Sequence, residues 1–77
     1  MRNWSMIHIG QLIRQELEDQ GRSVVWFAQR LAYSRANVYK IFEKSSIDTG
    51  LLLRISSLLG TDFFKVYTAE WENHKDK

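Results

Sequence analysis

Apolar residues recur along this chain at intervals of three and four, in short blocks separated by glycine or polar residues. That spacing restricts it to a set of short amphipathic helices. The first block, Ile9, Leu12, Ile13 and Leu17, marks one face of a helix from about His8 to Gln20, with Gly21 as its left-handed stop. Ser23 is placed as the N-cap of a two-turn helix, Val24 to Leu31, whose inner face is Phe27, Ala28 and Leu31. After a break at Ala32 and Tyr33, Ser34 caps a helix from Arg35 to about Phe42. It turns Val38, Ile41 and Phe42 inward and Arg35, Ala36, Tyr39, Lys40 and Glu43 outward. Lys44 to Ile47 reads as a polar loop. Asp48 or Thr49 then caps an apolar helix carrying Leu51, Leu52, Leu53, Ile55, Leu58 and Leu59, the expected centre of the core, which stops at Gly60. Asp62 caps a last helix with Phe63, Phe64, Tyr67 and Trp71 on one face, and residues 72–77 read as a fraying tail. Proline, which would break such helices, is absent.

The expected fold is therefore all-α: a compact five-helix bundle forming a single domain over residues 1–77, with residues 1–7 as an N-terminal arm. Seventy-seven residues build one core at most, so close helix packing or self-association is needed for stability. There is no cysteine, which removes disulfides, thiol nucleophiles and cysteine-ligated zinc, and suits a reducing cytoplasm. The opening stretch alternates Trp4, Met6, Ile7 and Ile9 with polar residues. It is too short to span a bilayer and unlike a secretory signal, so the chain reads as cytoplasmic and free of the membrane. His8 and His74 lie near opposite ends without spaced carboxylate partners and read as surface residues, and Glu16, Glu18 and Asp19 read as a solvated cluster. Without a phosphate-binding glycine loop or nucleophile elbow, the expectation is a binding protein with no cofactor or metal, not an enzyme.

The charge is unevenly spread. Between Arg22 and Lys44, Arg22, Arg30, Arg35, Lys40 and Lys44 oppose one carboxylate, Glu43, a surplus of four. The whole chain carries +2, so the remainder carries −2. One basic face on a neutral or acidic body suits a polyanion, although charge alone is equally compatible with a merely solvated face.

Two short helices joined tightly, a helix packed across them and a basic second member are the parts of a DNA-reading unit. In order and spacing the chain resembles the lambda-repressor-like, Xre-type helix-turn-helix family. Ile9-Gly10-Gln11-Leu12-Ile13-Arg14 resembles its opening helix, and Ser23 with Phe27-Ala28-Gln29-Arg30-Leu31 its second. Ala32-Tyr33-Ser34-Arg35-Ala36-Asn37-Val38-Tyr39-Lys40-Ile41 resembles its turn and recognition helix, and Leu53-Arg54-Ile55 with Leu58-Leu59-Gly60 its fourth helix. The resemblance implies a regulator that binds double-stranded DNA, with Arg35, Ala36, Tyr39 and Lys40 facing base edges and Ser34 and Asn37 at the groove rim. It places Arg22, Ser23, Lys44, Ser45 and Ser46 on the sugar-phosphate backbone. Three residues depart from the family's habit: Ala32 stands in place of the turn glycine, Val24 in place of a phosphate-binding glutamine, and Glu43 where a phosphate contact is common.

Two aromatic groups fall outside this scheme. Trp26 lies off the inner face of its helix, where it either packs under the N-terminal arm or meets a partner. The last helix carries more aromatic surface than so small a core needs, which suits a homodimer contact. The alternative function is a protein-interaction adaptor or antitoxin-like partner that uses Trp26, Tyr67 and Trp71.

Overall fold

The computed structural model describes residues 7–75, and among them all regular elements are helices: α1 (Ile9–Asp19), α2 (Val24–Leu31), α3 (Arg35–Phe42), α4 (Thr49–Leu59) and α5 (Phe64–His74). Trp4 and Met6, and with them the expected packing of the arm against Trp26, lie outside the described residues.

The helices start where side chains satisfy the backbone donors of a first turn, which have no partner inside the helix. Ser23 Oγ accepts the Trp26 N–H (3.0 Å), Ser34 Oγ the Asn37 N–H (3.1 Å) and Asp48 Oδ1 the Leu51 N–H (2.8 Å). At α1 the cap is a histidine: His8 Nδ1 accepts the Gln11 N–H at 3.1 Å, so this half-buried ring has a structural task the sequence reading did not give it. Phe63 already has helical backbone angles, and Asp62 Oδ1 receives the Phe64 N–H at 3.0 Å. Helices α1, α2 and α4 end as the chain turns left-handed at Gly21, Ala32 and Gly60 (φ 70°, 60° and 64°). Each end is closed by a backbone bond spanning five residues: Arg22 N–H to Leu17 C=O (2.9 Å), Tyr33 N–H to Ala28 C=O (2.9 Å) and Thr61 N–H to Ser56 C=O (3.1 Å).

The core draws Ile9, Ile13 and Leu17 from α1, Phe27, Ala28 and Leu31 from α2, Val38, Ile41 and Phe42 from α3, and Leu52, Ile55 and Leu59 from α4, with Phe63 beneath. Helix α4 is thus an equal contributor and not the centre; the closest backbone packing is of α1 and α2 against α3. The α1–α3 approach depends on Gly10. A Cβ there would run into the carbonyls of Ile41 and Phe42. The Ile9 and Gly10 N–H groups donate to the Ser45 and Lys44 carbonyls at 3.0 and 2.9 Å, tying the loop after α3 to the start of α1.

Four further expectations are corrected. Leu12 is 39% exposed, because Ile9, Ile13 and Leu17, four apart, form the buried line and Leu12 sits beside it over a shallow cleft shared with Phe63 and Val66. Leu53 is 60% exposed, one position off the Leu52, Ile55 and Leu59 face. Helix α5 continues through Glu72 and Asn73 to His74, where a fraying tail was expected. His74 Nε2 meets Glu70 Oε2 at 2.9 Å with both side chains largely buried, so His74 is no surface residue. Among the described residues no helix is long and apolar enough to cross a membrane.

Candidate nucleic-acid interface

Helix α3 is amphipathic in a way that separates two tasks. Val38, Ile41 and Phe42 are buried, while Arg35, Ala36, Asn37, Tyr39 and Lys40 are exposed. Ser34, also exposed, already uses its hydroxyl as an acceptor for the Asn37 N–H, so its free capacity is as a donor. Tyr39 does not choose between packing and exposure. Its ring meets Phe42 edge-on at 5.9 Å and 86°, yet it remains 47% exposed, leaving the phenol accessible at the surface. Phe42 in turn stacks parallel to Phe27 at 6.5 Å, and the Arg14 guanidinium lies 5.5 Å from its ring. Contacts from three helices therefore fix the end of α3.

The start of α3 is fixed by the three-residue turn from Ala32 to Ser34. Ala32 adopts φ 60° and ψ 38°, the left-handed conformation expected for a residue in the glycine's place, at a cost of roughly 1–2 kcal/mol to an alanine. Its N–H bonds back to Ala28 and Gln29, and the following Tyr33 is half-buried. Arg54 of α4 adds a contact that helical periodicity gave no reason to expect. Its Nη2 donates to the Leu31 carbonyl at 2.7 Å in a partly buried position, satisfying a carbonyl that the end of α2 leaves free. The cation thus binds α4 to the turn.

Lys44 and Ser45 follow α3 with exposed side chains, while their carbonyls are engaged by α1, so the loop is anchored through its backbone. Arg22 and Ser23 stand at the entry to α2. Ser23 is occupied as a cap, and the Arg22 guanidinium lies over the Trp26 ring, 4.3 Å from its centroid. Of the eleven residues singled out from the sequence, nine thus fall on α3, its cap and the loop after it. Arg22 and Ser23 form a separate group at the entry to α2.

The ion pairs lie away from the basic segment. Among the described residues the ion pairs are Arg14–Glu18 (3.7 Å), His74–Glu70 (2.9 Å) and Lys75–Glu72 (2.7 Å), all within α1 or at α5. Arg22, Arg30, Arg35, Lys40 and Lys44 therefore have no intramolecular counter-ion there. Glu43, exposed at the end of α3, is the single opposing carboxylate of the segment. Among the described residues no group of three or more His, Asp or Glu comes together to hold a metal ion. No protein family model, curated protein or solved structure matches the chain. The functional reading accordingly rests on the geometry of these side chains.

Proposed function

We propose that this chain is a lambda-repressor-like, Xre-type helix-turn-helix protein that binds duplex DNA sequence-specifically. It acts in the cytoplasm of a bacterium, or on phage DNA, as a transcriptional regulator. The observation that carries the reading is the exposed stripe of Arg35, Ala36, Tyr39 and Lys40 on α3, whose two cations have no counter-ion among the described residues and whose other face is sealed into the core. A single helix of this kind fits the major groove, where arginine bonds two guanine acceptors at once and lysine reaches guanine or phosphate. Ser34, Asn37, Lys44, Ser45, Arg22 and Ser23 then hold the backbone and set the register. The protein works as a homodimer on a two-fold-related site.

Selection of bound sequences from a random duplex pool tests this. The expected result is an enriched motif with two half-sites about one helical turn, 34–36 Å, apart. No enrichment, together with no salt-dependent binding to random duplex, overturns it.

Exposed apolar surface favours a second reading. Leu53 is 60% and Trp71 57% exposed, which suits an adaptor or antitoxin-like protein docking another protein through α4 and α5. Such docking releases no DNA counter-ions, so the same salt titration separates the two readings.

A further inference from the structure

Trp26 is half-buried on α2, and two arginines lie over its indole: the guanidinium of Arg22 is 4.3 Å, and that of Arg30 5.4 Å, from the ring centroid. Both arginines are exposed, and neither has an ion-pair partner among the described residues. No acidic residue occurs anywhere from Gln20 to Phe42. A guanidinium resting on an aromatic ring uses its face and leaves its N–H edges free to donate, and the ring limits the rotamers it explores. The two centroid distances keep the guanidinium carbons no more than about 10 Å apart, so both edges can serve one stretch of polyanion backbone.

We propose that Arg22, Trp26 and Arg30 form a pre-set clamp for two phosphates of one DNA strand, outside the groove entered by α3. Each arginine donates its edge to a phosphate, and the indole holds both in place, lowering the entropy lost on binding. The clamp rests on the DNA-binding reading of α3. It adds a backbone contact reaching the far end of α2, at Arg30, and assigns Trp26 a role in binding that burial alone does not give it. The phosphodiester backbone is the favoured occupant because the turn from Ala32 to Ser34 joins α2 directly to the candidate groove-reading helix.

The test is fluorescence anisotropy of the intact protein on the selected duplex and on random duplex across a salt series, with thermal unfolding of each variant as a folding check. Arg30→Gln is expected to weaken both duplexes by the same factor and to lower the salt slope by about one unit per protomer. Trp26→Leu keeps both charges, so the slope is expected to hold while affinity falls roughly two- to fivefold, as the two arginines lose the ring that limits their rotamers and must be ordered on binding. Trp26→Phe is expected to recover most of that loss, and it carries the test of the ring if leucine disturbs folding. If Arg30→Gln and both Trp26 variants bind as the parent does while Arg35→Ala still loses the selected site, the clamp is overturned and the α3 reading survives. If Arg30→Gln lowers the slope but the Trp26 variants change nothing, the indole's part is overturned. If the intact protein binds neither duplex, the α3 reading falls and the clamp with it.

Discussion

At the scale of single residues, two small side chains decide the geometry around α3. Ala32 holds a left-handed conformation that disfavours any Cβ, so Ala32→Gly relieves strain but also loosens the unfolded chain. The net expectation is a gain of about 0.5–1 kcal/mol in chemical denaturation; no change or a loss would mean that the surrounding bonds already absorb the strain. Gly10 is the opposite case. Alanine there improves helix propensity by up to about 1 kcal/mol, but its Cβ meets backbone carbonyls of Ile41 and Phe42 that cannot swing aside like a side chain. Overpacking of this kind costs about 1–3 kcal/mol, so Gly10→Ala is expected to lower the denaturation midpoint. The conformation of Ala32 was legible only through the resemblance, which puts this residue in the place of the family's turn glycine. The requirement at Gly10 was not legible, since it arises from the end of another helix some thirty positions away, and local spacing carries no trace of it.

At the scale of elements, caps and spacing located α2 and α3 to the residue, because Ser23 and Ser34 each sit directly before an apolar face. What they could not show is how helices bind one another through polar groups. Arg54 lies on the exposed side of α4, yet its guanidinium bonds the carbonyl of Leu31 at the end of α2. Arg54→Met keeps much of the aliphatic stem and leaves that carbonyl without its partner, and a hydrogen bond to a charged group is worth about 1.5–3 kcal/mol. A loss near the lower end is expected because the site is partly solvated; a variant as stable as the parent would show that water replaces the arginine without penalty. For α3 itself, Arg35 and Lys40 lie five residues apart, about 7.5 Å along the axis, so they address neighbouring base pairs or one base and a flanking phosphate. Arg35→Ala is expected to cost about 1–3 kcal/mol on the selected site and to relax specificity at one position in each half-site. Lys44→Ala is expected to weaken all duplexes alike and to lower the salt slope by about one unit per protomer. Equal losses for both variants on selected and random DNA would reduce α3 to an electrostatic grip.

At the scale of the whole molecule, the distribution of apolar surface bears on assembly. The four helices α1 to α4 bury three core residues each, whereas α5 has no fully buried residue. Its Phe64 and Tyr67 line a cleft with Ile47 and Leu52, and Phe64 also borders exposed Leu53 on α4. Trp71 continues the same helical stripe, 57% exposed with the Lys75 ammonium 5.3 Å from its ring. A stripe that begins in the core and ends in solvent is the form a two-fold contact takes when each copy covers the other's excess, and a chain of 77 residues gains stability from such cover. Trp71→Lys, at an exposed position, is expected to leave the monomer fold intact while weakening self-association by about 2 kcal/mol or more, roughly thirtyfold. Sedimentation across a concentration series reads this directly. DNA binding supplies an independent check, because a dimer on a two-fold site makes twice the phosphate contacts of a monomer. The variant's salt slope at low protein concentration is therefore expected to fall to about half that of the parent. An intact protein that sediments as a monomer at every accessible concentration, with a slope unchanged by Trp71→Lys, would leave the α4–α5 surface to a different protein and give the adaptor reading its strongest support.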